Sequence, residues 1–166
     1  RVARIARHLA EACGIHGEHL DKVEIAGLLH DIGKLRVPED IIDKPGSLTR
    51  EERAYVMRHS YDTGHILRKV FPEQPIADWA SMHHENLLGT GYPYHRPATD
   101  IPPEARLIAV ADIFQALSQE RPYRGHMAKA EVMARLDVLS TQGRIDPDMV
   151  RLLHAQLDPC YALAVD

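Results

Sequence analysis

Residues 103–118, PEARLIAVADIFQALS, constrain the fold more than any other part of the chain. A proline opens the stretch at a position where its missing N–H is not needed. Leu107, Val110, Phe114 and Leu117 then cover much of the circumference of the helix that the spacing predicts. Asp112 sits among them, with Ile108 one turn before it and Ala116 one turn after. A carboxylate in such a helix is not left to solvent, and burying it unpaired costs several kcal/mol. It calls for a cation, which either a basic side chain or a metal ion can supply.

Helical periodicity runs through the rest of the 166 residues. Residues 1–13 place Val2, Ile5, Ala6 and Leu9 at helix spacing before Gly14, and residues 18–30 turn Leu20, Val23, Ala26, Gly27 and Leu28 inward. A loop with Gly33, Pro38, Pro45 and Gly46 precedes a helix that opens on Thr49, with Glu51 and Glu52 in its first turn. A break near Ser60 leads into a short helix through His65 and Leu67. Residues 75–86 are predicted to form a helix carrying Ile76, Trp79, Ala80 and two adjacent histidines, before a long Gly- and Pro-rich loop over 87–103. Helices near 128–140 and 147–157 close the chain. No strand alternation, repeat or low-complexity segment is visible. The expected fold is all-α, in one domain over 1–166. Arg1 already reads as the interior of a helix, so a longer parent protein is expected.

Composition narrows the function. A formal net charge of −4 gives no general affinity for DNA or an anionic membrane. No apolar stretch approaches the roughly 20 residues that cross a bilayer, and no signal-peptide pattern is present. Cys13 and Cys160 form no metal or disulfide motif, which fits a reducing, cytoplasmic setting. Histidine is the outlier, with 11 residues against six tyrosines and two phenylalanines. The histidines are scattered rather than consecutive, so they suggest metal chemistry and not a purification tag.

The segment LLHDIGK, 28–34, ends an apolar helix with His30, Asp31 and Lys34. Neighbouring helix residues point about 100° apart, so His30 and Asp31 reach one ion only by leaning toward it from a helix end. A carboxylate bridging two ions suits that geometry; taken alone, the pair reads more readily as a solvated helix end. His59, in MRHSYDTGHIL, is ambiguous by itself, and the adjacent His83 and His84 raise the same question as His30 and Asp31. With Asp112 these make six N or O donors without a thiolate, a set that suits Mn, Fe, Zn or Mg. Six exceed the needs of one structural zinc and suit two ions. Two-metal sites activate a bridging water and stabilise the leaving oxygen in phosphoester hydrolysis. Lys34 offers a compact charge beside such ions. Arg121 and Arg124 follow Asp112 by nine and twelve residues and offer guanidinium forks for phosphate oxygens or guanine; each alone reads as a solvated surface residue.

RVARIARHLAEACGI, LLHDIGKLRVPEDIIDKPGSLTREE, MRHSYDTGHIL, HHENLLGTGYP, IPPEARLIAVADIFQAL and RPYR occur in this order. In that order and spacing the chain resembles the HD-GYP family, a branch of the metal-dependent HD phosphohydrolases, along nearly its whole length. The resemblance implies an HD-domain helical bundle with additional C-terminal helices and a long loop around Gly91, Tyr92 and Pro93. It implies hydrolysis of cyclic di-GMP, or a related cyclic dinucleotide, to linear pGpG and in some members on to GMP, in bacterial second-messenger signalling. Ligands for two or three divalent ions would fall on His30, Asp31, His59, His83, His84 and Asp112. Iron and manganese lead, with zinc, magnesium, nickel and cobalt as further candidates. Asp31 and Lys34 would be catalytic, and Lys34, Tyr92, Arg121 and Arg124 would face the nucleotide. An upstream sensor or receiver domain, a GGDEF-domain partner docking on the Tyr92 loop and a homodimer are further implications. On this reading His83 and His84 face the metals while Gly89 and Gly91 let the loop carry Tyr92 to the rim.

Some positions depart from the pattern. Leu88 stands where an aspartate is usual, which predicts looser anchoring of the loop. Tyr94 and His95 stand where arginine and glycine are common, and Arg36 replaces a frequent glycine. The family's further histidine and glutamate ligands would precede Arg1, and His8 is a poor substitute for them. Two alternatives stand beside the enzyme: a catalytically silent cyclic dinucleotide receptor, and an interaction module that works through the Tyr92 loop.

Overall fold

Ten α-helices are found among the described residues of the computed structural model, which are 1–72, 74–119 and 127–165. They are α1 (Val2–Ala12), α2 (Gly17–Leu29), α3 (Glu39–Ile42), α4 (Arg50–Met57), α5 (His59–Val70), α6 (Ile76–Ser81), α7 (Pro103–Ser118), α8 (Lys129–Thr141), α9 (Pro147–Ala155) and α10 (Leu157–Val165). Short 3-10 turns cover Ile32–Arg36 and Ala98–Asp100. No strand occurs among the described residues, as the periodicity predicts. Arg121 and Arg124 lie outside the described residues.

The apolar stretch 103–118 becomes the axis of the bundle. Helix α7 packs against α1, α2, α6, α8, α9 and α10. Its Leu107, Ile108, Val110, Ala111 and Phe114 are buried with Ile5 and Leu9 of α1, Val23 of α2, Leu136 of α8 and Leu153 of α9 in one cluster. Each large side chain so buried contributes about 1.5–3 kcal/mol. Helix α4 begins as expected: the Thr49 hydroxyl accepts from Glu52 N at 3.2 Å and the Glu52 carboxylate from Thr49 N at 2.7 Å. Such a capping box contributes about 1 kcal/mol.

Four expectations are corrected. Leu28 is 70% exposed, not inward. Gly27 beside it faces Ala3 so closely that an added Cβ would stand 3.0 Å from Ala3 Cα, and that contact turns the next residue outward. The break expected near Ser60 falls at Arg58, and α5 is a full helix from His59 to Val70. The helix expected over 75–86 stops at Ser81, which places His83 and His84 in the turn beyond it. Finally, the helix expected over 147–157 ends at Ala155, and α10 follows. Pro159 looks like a breaker in the sequence, but it falls in the first turn of α10, where its missing N–H is tolerated. The fully buried Cys160 and Ala164 hold that helix to the core.

Candidate metal centre

Three of the site histidines follow the ends of helices and close them in the same way. His30 comes after α2, His59 after α4 and His83 after α6. Their Nδ1 atoms lie 2.8, 2.6 and 2.6 Å from the carbonyl oxygens of Gly27, Val56 and Ala80, three residues earlier in each case. Carbonyls in the last turn of a helix lack a partner within it, and the imidazoles take these three. A carbonyl only accepts, so each Nδ1 carries a proton and each Nε2 is left to face the site. The helix-end carbonyls thus orient the rings before any ion is present.

Asp31 is the point on which they converge. Its Oδ2 accepts from Lys34 Nζ at 2.6 Å and lies 3.3 Å from His30 Nε2. Its Oδ1 lies 3.2 Å from His59 Nε2 and 4.0 Å from His83 Nε2. Asp112 Oδ1 reaches the group at 3.6 Å from His30 Nε2. The nearby cation that Asp112 requires is therefore His30 or an ion beside it; among the described residues no Lys or Arg pairs with it. His84 completes the set, its ring 3.9 Å from that of His83 and 5.2 Å from that of His59. The donor atoms form two overlapping groups, His59–His83–His84 and His30–Asp31–His83, each with its atoms within 4.8 Å of one another.

The donors fit metal ions on a second count. Asp31 Oδ1 and His83 Nε2 are buried and have no hydrogen-bond partner. Buried polar atoms are seldom left so, and a divalent cation between them satisfies both. Protonation follows the same division. Burial, with His84 and His30 nearby, holds His83 well below its ordinary value. Burial also takes His84 down to about 4, so both imidazoles are neutral. Burial opposes a charge on His30 as well, but Asp112 and Asp31 prevail and raise it to about 10. Against its own burial, Asp31 is held below the usual carboxylate range by His30, His59 and Lys34. Burial, reinforced by Asp112 and Asp31, pushes the Tyr92 phenol up, so it keeps its proton.

The backbone around these side chains is fixed by residues that carry no chemistry. Thr63 Oγ1 accepts from Gly33 N and donates to His30 O, both at 3.0 Å, and so ties the His30–Asp31 turn to α5. Gly33 lies against α5 so tightly that a Cβ there would stand 2.0 Å from His59 O. In the signature loop the buried Glu85 accepts from Tyr94 N at 2.7 Å and from Arg96 N at 3.1 Å. Asn86 Oδ1 accepts from Leu88 N and Thr90 N, each at 3.1 Å. Gly91 crosses the chain where a Cβ would meet Glu85 Cα at 2.5 Å. This crossing brings the Tyr92 ring to 4.7 Å from that of His84. Anchoring of the loop falls to these neighbours of Leu88, and to Leu87 N donating to Gly143 O at 3.1 Å; Leu88 itself is 60% exposed. Arg36, another departure, pairs with the buried Asp62 at 2.9 Å. His8 is engaged elsewhere, with Gln156 at 3.0 Å.

A family model described as the HD domain matches residues 1–149. The chain belongs to the HD domain family. Over 165 residues this HD domain is 39% identical to the 3′3′-cGAMP-specific phosphodiesterase 1 of Vibrio cholerae, covering 99% of the chain and 38% of that protein. It is 36% identical over 165 residues to the cyclic di-GMP phosphodiesterase response regulator RpfG of Xanthomonas campestris, covering 95% of the chain and 43% of that protein. The chain thus spans less than half the length of either relative. Among solved structures, an HDG"Y"P protein from Bdellovibrio bacteriovorus superposes with a TM-score of 0.73 at 24% identity, over 94% of the chain and 50% of that protein. That likeness shows the HD-domain fold, and the relatives' names agree with the HD-GYP resemblance.

The structure brings all six expected ligands and Lys34 of this HD domain into one cluster, with Tyr92 at its edge. Sequence reasoning missed Thr63, Glu85 and Asn86 as positioning residues. Their only signal is adjacency to the histidine motifs, which does not reveal a hydrogen bond to backbone thirty residues away.

Proposed function

We propose that this HD domain is a metal-dependent phosphodiesterase that opens cyclic di-GMP to linear pGpG. The observation that carries the reading is the Asp31 carboxylate, with Lys34 on one oxygen and, on the other, the imidazoles of His59 and His83 at 3.2 and 4.0 Å around a buried atom without a hydrogen-bond partner. His30, Asp31 and Asp112 would hold one divalent ion and Asp31, His59, His83 and His84 another, with iron and manganese the favoured metals. Bound there, such ions supply an activated water and neutralise phosphoryl oxygens. Lys34 adds its ammonium charge at the same phosphate. Tyr92, a protonated phenol beside His84, donates a hydrogen bond to a phosphoryl oxygen. Arg121 and Arg124 bind the nucleotide. In the reaction the water oxygen bonds to phosphorus, the bond from phosphorus to the 3′ oxygen breaks, and a proton from water ends on that 3′ oxygen.

A mixed cyclic dinucleotide is the second reading, favoured by the 39% identity to a 3′3′-cGAMP-specific enzyme. The family resemblance extends the proposal to a cytoplasmic output module downstream of a sensor or receiver domain, to homodimers, and to a GGDEF-domain partner on the Tyr92 loop. No helix is long and apolar enough to cross a membrane among the described residues.

The test loads the purified protein with manganese or iron(II) and follows cyclic di-GMP by chromatography, with Asp31→Ala as control. Formation of pGpG that disappears in the variant supports the enzyme. Intact substrate with fully loaded protein overturns it, and tight binding without turnover makes the domain a receptor.

A further inference from the structure

A cavity of about 280 Å³ adjoins the metal centre on the side of the signature loop. His84 and Tyr92 form the wall it shares with the cluster. Ile113 of α7 and Leu139 of α8 give it an apolar floor, and Gln142 and Arg144, on the turn between α8 and α9, stand at its mouth. That turn is held firmly. Gly143 O accepts from Leu87 N at 3.1 Å, and Arg144 N donates to Leu139 O at 2.9 Å. The buried Asp146 then accepts from Asp148 N and from Arg106 Nη1, each at 2.8 Å, which fixes the start of α9 to α7. Both Gln142 and Arg144 are exposed, and among the described residues neither side chain has a hydrogen-bond or ion-pair partner.

An aromatic wall, an aliphatic floor and unengaged donors at the mouth are what a nucleobase requires. Stacking on an aromatic ring contributes about 1–3 kcal/mol per base. The volume lies just below the roughly 300–1,000 Å³ typical of ligand sites, so it suits one base and not a whole dinucleotide. A guanidinium fork matches O6 and N7 of guanine, while a glutamine amide matches N6 and N7 of adenine. Charge-assisted hydrogen bonds are about twice as strong as neutral ones, so Arg144 dominates the pair. We infer that this cavity receives one purine of the cyclic dinucleotide and that Arg144 makes it select guanine. The inference rests on the phosphodiesterase reading, since it places the scissile phosphate at Asp31 and Lys34 and one base beyond Tyr92.

Arg144→Ala and Arg144→Lys, in protein with metal content matched to the unsubstituted chain, test it in two ways. In turnover, Arg144→Ala raises KM for cyclic di-GMP on the order of tenfold with kcat retained, and Arg144→Lys recovers only part of the loss. Hydrolysis of bis(p-nitrophenyl) phosphate, a diester without bases, stays unchanged. In equilibrium binding, Arg144→Ala weakens cyclic di-GMP by a similar factor and leaves cyclic di-AMP as it was. An unchanged KM for cyclic di-GMP overturns the subsite. Equal losses for both dinucleotides overturn the selection of guanine by assigning Arg144 to phosphate charge alone. If the unsubstituted protein opens no cyclic dinucleotide, the phosphodiesterase reading fails and the binding arm still decides the subsite.

Discussion

The two sides of the Asp31 carboxylate are not equally ready for a cation. On one side stand three imidazoles, of which His83 and His84 are kept neutral chiefly by burial. On the other side His30 lies between Asp31 and Asp112 and holds a proton up to about pH 10. The His30 proton stands between two carboxylates there, while on the histidine side Asp31 Oδ1 and His83 Nε2 are buried without a hydrogen-bond partner. Filling the histidine side therefore releases little, and filling the carboxylate side must displace the His30 proton. On the proposed division of ligands, Asp31 therefore serves two sites with different dependence on pH.

Removing the shared residue erases the difference altogether. Asp31→Ala loses both ions and lowers turnover by more than about a hundredfold, since even residues that merely support a ligand cost 10–100-fold. Metal analysis beside the activity assay checks this. A pH titration separates the two sides. Below about 10 the neutral form of His30 falls tenfold for each pH unit, so affinity on the carboxylate side weakens by up to about tenfold per unit between pH 9 and 6. The histidine side changes less over the same range. In metal-free protein the sign reverses: the raised His30 contributes stability that is complete below about 6.5 and is lost as pH rises toward about 10. Denaturant midpoints across that window, with and without metal, separate the two behaviours.

Smaller effects come from the frame. Gly33→Ala sets a Cβ against the backbone of α5 and destabilises the protein by about 3 kcal/mol. It weakens the His30 side more than the loop side, as separate metal titrations would show. Leu88→Asp, which restores the usual family residue, changes stability by no more than about 0.5 kcal/mol because Leu88 is largely exposed and its neighbours hold the loop. A large gain in thermal stability would contradict that account of the loop.

The fold class was legible in the sequence because it rests on local signals, whereas the candidate donors pointed to a site only when taken together. Helical spacing marks α1, α2 and α7; His30 and Asp31 end an apolar helix and Asp112 lies inside one, while His59, in a stretch that reads as an ordinary amphipathic helix, gains meaning only beside the others. What the sequence hid depends on long-range contact. The outward turn of Leu28 follows from the approach of Gly27 to Ala3, and the end of α6 from the His83 ring taking the Ala80 carbonyl. Thr63 gains its part only when α5 lies against Gly33. The turn carrying Arg144 is about fifty residues from Tyr92, and no periodicity relates them. Their neighbourhood comes from Leu87 meeting Gly143.

On the proposed division of ligands Asp31 serves two ions, one held with His30 and Asp112 and the other with His59, His83 and His84. Metal stoichiometry by mass spectrometry on manganese-loaded protein tests that division most directly, using the unsubstituted chain, Asp112→Asn and His84→Gln. Two ions per chain, one ion in each variant and loss of cyclic di-GMP turnover in both are expected. A single ion in the unsubstituted protein, retained in full by either variant, would contradict the division.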